Sequence, residues 1–247
     1  MKKFLSLLLI STLIFTNGIN TVNAQEYYYT NEYGVNFTKE EYDFFSAMYY
    51  DGYQKYMTQE DRNIFNGCDL RAENVTTKTY VDYFHDQKAI SVKGNYHETQ
   101  AKILTINKTN DSIPVISLIA QWKYAPNVRS YDLIGAYLSG VSLFGSQSSK
   151  VIHTGSTVFP SAEVNTSNGF GSVLKLPSGA NIVASSTFRV TGHGTIYGSY
   201  QHAKSSISLN NAKSFTISFS GLGNVHYFSN MNIRAKYDAM QGVDIEV

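Results

Sequence analysis

The sequence predicts a mainly β protein, an antiparallel β-sandwich or barrel-like domain with a short N-terminal helical hairpin. From about Leu70 onward, runs rich in Thr, Val, Ile and Tyr alternate with Gly, Pro, Asn and Asp breaks at spacings of about 8 to 15 residues. Small polar residues occupy alternate positions in many of those runs, as in an antiparallel sheet with one wet face. Before them, two Thr-x-x-acid patterns, Thr38 to Glu41 and Thr58 to Asp61, are helix-start signals.

Taken from the N-terminus, Lys2 and Lys3 precede an uncharged apolar run from Phe4 to Phe15, and a polar stretch ends in Val22-Asn23-Ala24. This is the pattern of a secretory signal peptide over residues 1–24, with small residues at the positions that signal cleavage between Ala24 and Gln25. The run falls well short of the roughly 20 residues needed to span a bilayer. Residues 25–37 read as a flexible N-terminal segment, residues 38–67 as the helical hairpin and residues 68–247 as the β-rich domain.

Between Tyr27 and Met57 lie nine of the chain's 19 tyrosines. At 100° per residue, Tyr42, Phe45, Tyr49, Tyr53 and Tyr56 share one stripe of a helix opened by Thr38, so the tyrosines are expected to line one helix face. Thr58 opens a second short helix through about Phe65, and Gly67 is its stop. Expected strands follow in "NVTTKTYVDYF", "KAISVKGNY", "AKILTIN", "PVISLIAQWKY", "YDLIGAYLSGVSLF", "GSVLKL", "NIVASSTFRV", "GTIYGSYQHA", "SISL" and "SFTISF". The breaks between them include "NKTNDS", Pro126-Asn127, "PSGAN", "GHG", "LNNAK" and "GLGN".

Charge and cysteine usage narrow the function classes. Losing Lys2 and Lys3 leaves 18 basic against 19 acidic side chains, so no basic field exists for nucleic acid. No second apolar span follows the signal, and no integral membrane anchor is expected in the mature chain. Cys68 is the lone cysteine, so stability must come from packing; with the short signal this points to a bacterial, extracellular protein.

Signatures of catalysis are largely missing. There is no G-x-S-x-G, H-E-x-x-H, P-loop or paired C-x-x-C pattern, and His97-Glu98 has Ala101 where a second zinc ligand belongs. Cys68 lies upstream of all six histidines, an order seen in some cysteine peptidases, but it follows a helix stop instead of opening a helix. The six histidines are dispersed, and neither a metal site nor a cofactor is predicted. Trp122 and Tyr124 are the candidate binding residues: two apart in a strand, their rings share one face that can stack on a sugar or a partner surface. Arg129 and Asp132 flank Tyr131 at a spacing that can tie a loop to its neighbouring strand.

The stretch "WKYAPNVRSYDLIGAYLSGV" (122–141), with "TKEEYDFFSAMYYDGYQKYMTQED", "GTIYGSYQHA…SISL" and "IRAKYDAMQGV", resembles a group of uncharacterised small secreted proteins of Gram-positive bacteria. The likeness covers most of the mature chain and implies secretion and a shared fold, with no catalytic or binding residue to carry over. The leading expectation is therefore a secreted non-enzymatic β-rich protein that binds a cell-surface glycan or protein. The alternatives are a membrane-active or toxin-like β protein, in which "SVLKLPSGANIVASSTFRV" rearranges into a barrel hairpin, and a hydrolase with an unrecognised site.

Overall fold

The computed structural model describes residues 27–82, 102–123, 125–219, 225–228, 230–238 and 242–247. Strand is the dominant secondary structure, and most of it belongs to one nine-stranded antiparallel sheet. Two-residue strands β1 (Tyr29–Thr30) and β2 (Asn36–Phe37) pair ahead of it. The segment expected to be flexible is thus tied down in its described part: Asn31 donates to the carbonyls of Gln54 (2.8 Å) and Met57 (2.7 Å), and Phe37 is buried.

Helix α1 (Lys39–Met48) starts where its capping box requires. The Glu41 amide donates to Thr38 Oγ1 (3.2 Å), and the Thr38 amide donates to Glu41 Oε2 (2.9 Å). Helix α2 (Gln59–Asn63) repeats the device through Thr58 and Asp61. Between them the chain breaks at Gly52 (φ 88°), which only a residue without a Cβ adopts easily, and continues as a 3-10 turn, Tyr53–Tyr56. The expected tyrosine stripe is therefore shared by a helix and a turn. Tyr49 and Tyr53 stack face to face at 3.7 Å, and their hydroxyls bond Thr187 Oγ1 (2.7 Å) and Ser185 Oγ (3.1 Å). Burying the rings while satisfying the hydroxyls on strand serines and threonines is what tyrosine does and leucine cannot.

The large sheet is ordered β3-β4-β5-β10-β6-β9-β8 from β3 (Val75–Asp82), β4 (Lys102–Thr109), β5 (Val115–Trp122), β6 (Tyr131–His153), β8 (Ala162–Thr166), β9 (Gly169–Lys175) and β10 (Val183–Gln201). Strand β7 (Ser156–Val158) adds to β6, and β13 (Val243–Glu246) adds to β10. The β6 and β10 strands, 23 and 19 residues long, far exceed the usual 5 or 6 and organise the fold. "GHG" (192–194) does not end a strand as expected. It forms a bulge inside β10, where the register against β6 shifts between Gly192 and Thr195, and Gly140 on β6 takes φ 80° beside it. A Cβ on Gly140 would sit 2.7 Å from the His193 carbonyl oxygen, so the bend needs glycine there.

Residues from both ends of the two long strands belong to one core cluster: Ile134 and Val151 of β6, Phe188 and Ile196 of β10. Phe170 of β9 packs against Phe188 of β10 with centroids 4.4 Å apart, and Gly198 lies directly over the Leu118 side chain. The opposite face of β5 and β10, with Val115, Ile119 and Val183, is covered by Phe44, Phe45, Met48 and Phe65. A third cluster joins Leu133 of β6 and Val173 of β9 to Phe215, Tyr227, Phe228 and Tyr237. These come from the C-terminal segment carrying α3 (Leu209–Lys213), β11 (Ser218–Phe219), β12 (Val225–His226) and α4 (Met231–Arg234). Two expectations change here: "SISL" is not a strand, and "LNNAK" is a helix, because Ser208 Oγ accepts the Asn211 amide and caps it. "KAISVKGNY" and the signal segment lie outside the described residues. Among the described residues no helix is long and apolar enough to cross a membrane.

The helical layer is pinned to the sheet by a buried ion pair. Lys150 Nζ on β6 lies 2.5 Å from Asp61 Oδ2 and donates to the Tyr56 carbonyl (2.8 Å), and Ser148 Oγ donates to Asp61 Oδ1 (2.5 Å). Burial would raise the Asp61 carboxyl, but the Lys150 ammonium and the bonds from Lys150, Ser148 and the Thr58 amide hold it below its ordinary value. A carboxylate depressed in the folded state contributes stability above about pH 4 that is lost as pH falls through its folded value. Stability to urea should therefore drop below about pH 4, and Asp61→Asn should lower it at pH 7 while flattening the acid limb. An acid limb unchanged in the variant would remove Asp61 from this role.

Candidate functional site

Where the N-terminal layer meets one end of the sheet, the surface opens into a groove of about 680 Å³, within the range of small-ligand sites. Tyr50, Asp51, Lys55 and Tyr56 line it from the segment after α1 and the 3-10 turn, and Gln121, Trp122 and Lys123 from the end of β5. His153, Thr154 and Asn181 complete the wall from the β6 end and the loop before β10. Asn181 holds φ 53°, the one non-glycine positive φ among the described residues, and asparagine tolerates it best.

The loop wall is fixed from behind. Arg129 donates to the carbonyls of Pro177 and Gly179, both at 2.9 Å, and the Trp122 amide donates to the Ile182 carbonyl (3.0 Å). The loop tie expected of Arg129 is present, while Asp132 turns inward to other partners. On the other side Tyr50 packs edge-on against Tyr53 at 5.5 Å, and burial raises its phenol above the ordinary value, so it stays a neutral donor and acceptor. Lys55 Nζ stands 5.8 Å from the Tyr56 ring centroid.

Trp122 connects this groove to a buried polar network. It lines the groove but is only 3 % exposed, and its ring packs in the core. Trp122 Nε1 donates to the Tyr200 hydroxyl (3.1 Å), which in turn donates to Asp132. The Asp132 carboxylate also holds His202 Nδ1 (2.8 Å) and the Ala203 amide (3.0 Å), and the His202 ring lies edge-on to Trp122 at 4.7 Å. Beside them Lys102 pairs with Asp238, whose other oxygen accepts the His202 amide (2.8 Å), and Lys102 Nζ lies 5.4 Å from the Trp122 ring centroid. Asp132, His202 and Lys102 are fully enclosed. Such a network fixes the indole rigidly.

Of the two candidate binding residues, Trp122 thus sits between groove and core, and Tyr124 lies outside the described residues, as do Ala24 and Gln25 of the cleavage site. The other groove residues had no motif to announce them. Asp132 and His202 are 70 residues apart, and Lys102 and Asp238 are 136 apart. One signal was readable: in "KILTI", Lys102 alternates with Leu104 and Ile106, which puts a lysine on the apolar face.

Cys68 is half-buried beside Asp111, and desolvation followed by that carboxylate pushes its thiol up to about 11, the wrong direction for a nucleophile. Among the described residues no three His, Cys, Asp or Glu side chains converge as a metal site would need. A second concavity, of about 470 Å³, lies between α2 and the middle of β6, where Phe144 and Phe159 stand beside Glu60, Asn63, Gln147 and Arg189. Compared with known protein families and with characterised proteins, the chain matches none.

Proposed function

We propose that this chain is a secreted, extracellular, non-enzymatic protein that binds a surface saccharide in the groove between the 3-10 turn and the end of the large sheet. In this reading residues 1–24 direct export and the bent sheet is a β-sandwich, with β6 and β10 running through both layers. The observation that carries it is the groove itself. Tyr50 and Tyr56, both partly exposed, line one site with Asp51, Gln121, Asn181 and the nearly buried Trp122, and aromatic faces with planar hydrogen-bonding groups suit a pyranose ring and its hydroxyls.

The test is binding of residues 25–247 to bacterial, mucin and host glycans and to intact cells, with Tyr56→Ala as the control. Tyr56 is partly exposed and contributes its backbone carbonyl, not its ring, to the Lys150 contact, so the variant should stay folded. Its loss should weaken binding at least about tenfold, near the 1–3 kcal/mol that an aromatic stacking contact contributes. Glycan binding by wild type that is unaffected by Tyr56→Ala would place the site elsewhere.

One observation favours a membrane-active reading. Strands of 23 and 19 residues exceed the 9–11 that cross a bilayer as a barrel, and the interior under β9 holds a buried serine cluster among its apolar residues, with Ser149 Oγ bonded to Ser172 Oγ (2.8 Å) and Ser186 Oγ (2.7 Å). In the structure the two halves of "SVLKLPSGANIVASSTFRV" pair with β6 on either side and not with each other, so a hairpin there requires β6 to leave the sheet. Leakage of dye from liposomes by residues 25–247, without glycan binding, would select this reading over the first.

A further inference from the structure

The N-terminal layer, residues 27–67, is separable from the large sheet in its topology. Its strands β1 and β2 pair with each other, and the whole layer precedes β3, the first strand of the nine-stranded sheet. One connection therefore joins them. There Gly67 holds φ 80°, and a Cβ on it would meet nothing within 4 Å. Just beyond, the chain is fixed to the sheet side, where the Asp69 amide donates to Asp111 Oδ1 (3.1 Å) and Asn74 Nδ2 donates to the Asp69 carbonyl (2.9 Å). The layer also has a core of its own: Phe37, Phe44, Phe45 and Phe65 pack edge-on with centroids 5.1 to 5.7 Å apart. Its parts are tied to one another, Glu41 of α1 to Arg62 of α2, and Gln54 Nε2 to the Tyr42 carbonyl (2.5 Å) and Ser46 Oγ (2.7 Å).

What the layer covers is a half-polar sheet face. Val115, Ile119, Ile152 and Val183 share that face with Ser117, Lys150, Ser185 and Thr187, at alternate positions of the same strands. The opposite face of those strands carries Ile116, Leu118, Ala120, Val151, Ala184 and Phe188, with the Ser149–Ser186 pair among them. The layer is fastened by polar contacts as well as by packing. Tyr49 and Tyr53 bond Thr187 and Ser185, Asp61 holds Lys150 and Ser148, and Asn107 Nδ2 donates to the Met48 carbonyl (2.9 Å). Hydroxyl, amide and ammonium groups regain water when a surface lifts away, and a buried ion pair contributes little net stability once its desolvation is counted. Uncovering this face is therefore less costly than uncovering the other.

We propose that residues 27–67 form a lid that opens as one unit about Gly67 while the large sheet stays folded. Proteins open in cooperative units of this kind, at free energies below that of global unfolding. The lid carries Tyr50, Asp51, Lys55 and Tyr56, one wall of the groove, and the sheet carries Gln121 and Trp122 opposite. The groove is thus complete only while the lid is closed. Opening does not depend on what the groove binds, but any ligand that needs both walls binds the closed form, and closure and binding then reinforce each other.

The test is native-state hydrogen exchange of residues 25–247 at pH 7, followed by NMR over urea concentrations below the unfolding midpoint. Amides of α1 and α2 should share one urea slope, smaller than that of β4 and β9, with protection at least about tenfold lower. Lys150→Met leaves Asp61 beneath the lid without its cation and should lower the lid's protection by at least about tenfold more, with β4 and β9 still above it. Tyr49→Phe keeps the ring and loses only the bond to Thr187, so it is the milder variant and should lower lid protection a few-fold. Lid and sheet amides at one protection level and one slope would overturn the proposal, because layer and sheet would then unfold together. Scattered values in α1 and α2 without a urea slope would overturn it as well, because the helices would then be fraying singly.

Discussion

Replacing Lys102 with methionine will destabilise the protein by about 3–5 kcal/mol, and adding Asp238→Leu to the same chain will recover most of that loss. Lys102 is fully buried on the apolar face of β4, and its ammonium pairs with Asp238, itself 5 % exposed. Removing one partner strands a carboxylate in a low-dielectric interior, whereas removing both replaces two desolvated ions with apolar volume. Urea unfolding of the wild type, both single variants and the double variant closes the cycle. Additive single and double effects would mean the two charges do not interact across the core.

Asp132→Ala should be as damaging for a different reason. Its carboxylate accepts from the Tyr200 hydroxyl, from His202 Nδ1 and from the Ala203 amide, all buried. Each donor stranded away from water costs about 1–3 kcal/mol, so a total of at least about 3 kcal/mol follows, on the order of 10 °C in Tm for a domain of this size. The effect should also reach the groove, because Tyr200 is the acceptor for Trp122 Nε1 and the His202 ring buttresses the indole. Asp132→Asn keeps one acceptor and should fall between wild type and alanine. An alanine variant with wild-type Tm and wild-type tryptophan emission would show that the network neither supports the fold nor holds the ring.

Which parts of this could be read from the sequence follows the range of each interaction. Thr38 and Glu41, or Thr58 and Asp61, satisfy one another within three residues, so both helix starts were legible. Helix α1's end was not, because Tyr49 and Tyr53 keep a helical spacing across Gly52 while the backbone changes to a 3-10 turn. Alternation revealed β4, β5 and the ends of β10, but the glycines of "GHG" read as a stop. Their role as a bulge depends on the Gly140 backbone of another strand lying against them. Trp122 was singled out for its chemistry, and the residues that complete its groove come from four separate stretches whose convergence is a property of the sheet order. The buried network behind it is longer-ranged still, and its one local trace was a lysine in phase with leucine and isoleucine.

Trp122 is the chain's one tryptophan and it lines the groove, so all indole emission comes from that position. The decisive measurement is a titration of residues 25–247 with the glycans of the panel, following Trp122 emission. A saturable change in intensity or wavelength, absent in the folded Tyr56→Ala variant, is the predicted result. Glycan binding detected by calorimetry with no change at Trp122, or with the same change in Tyr56→Ala, would contradict the assignment of the groove.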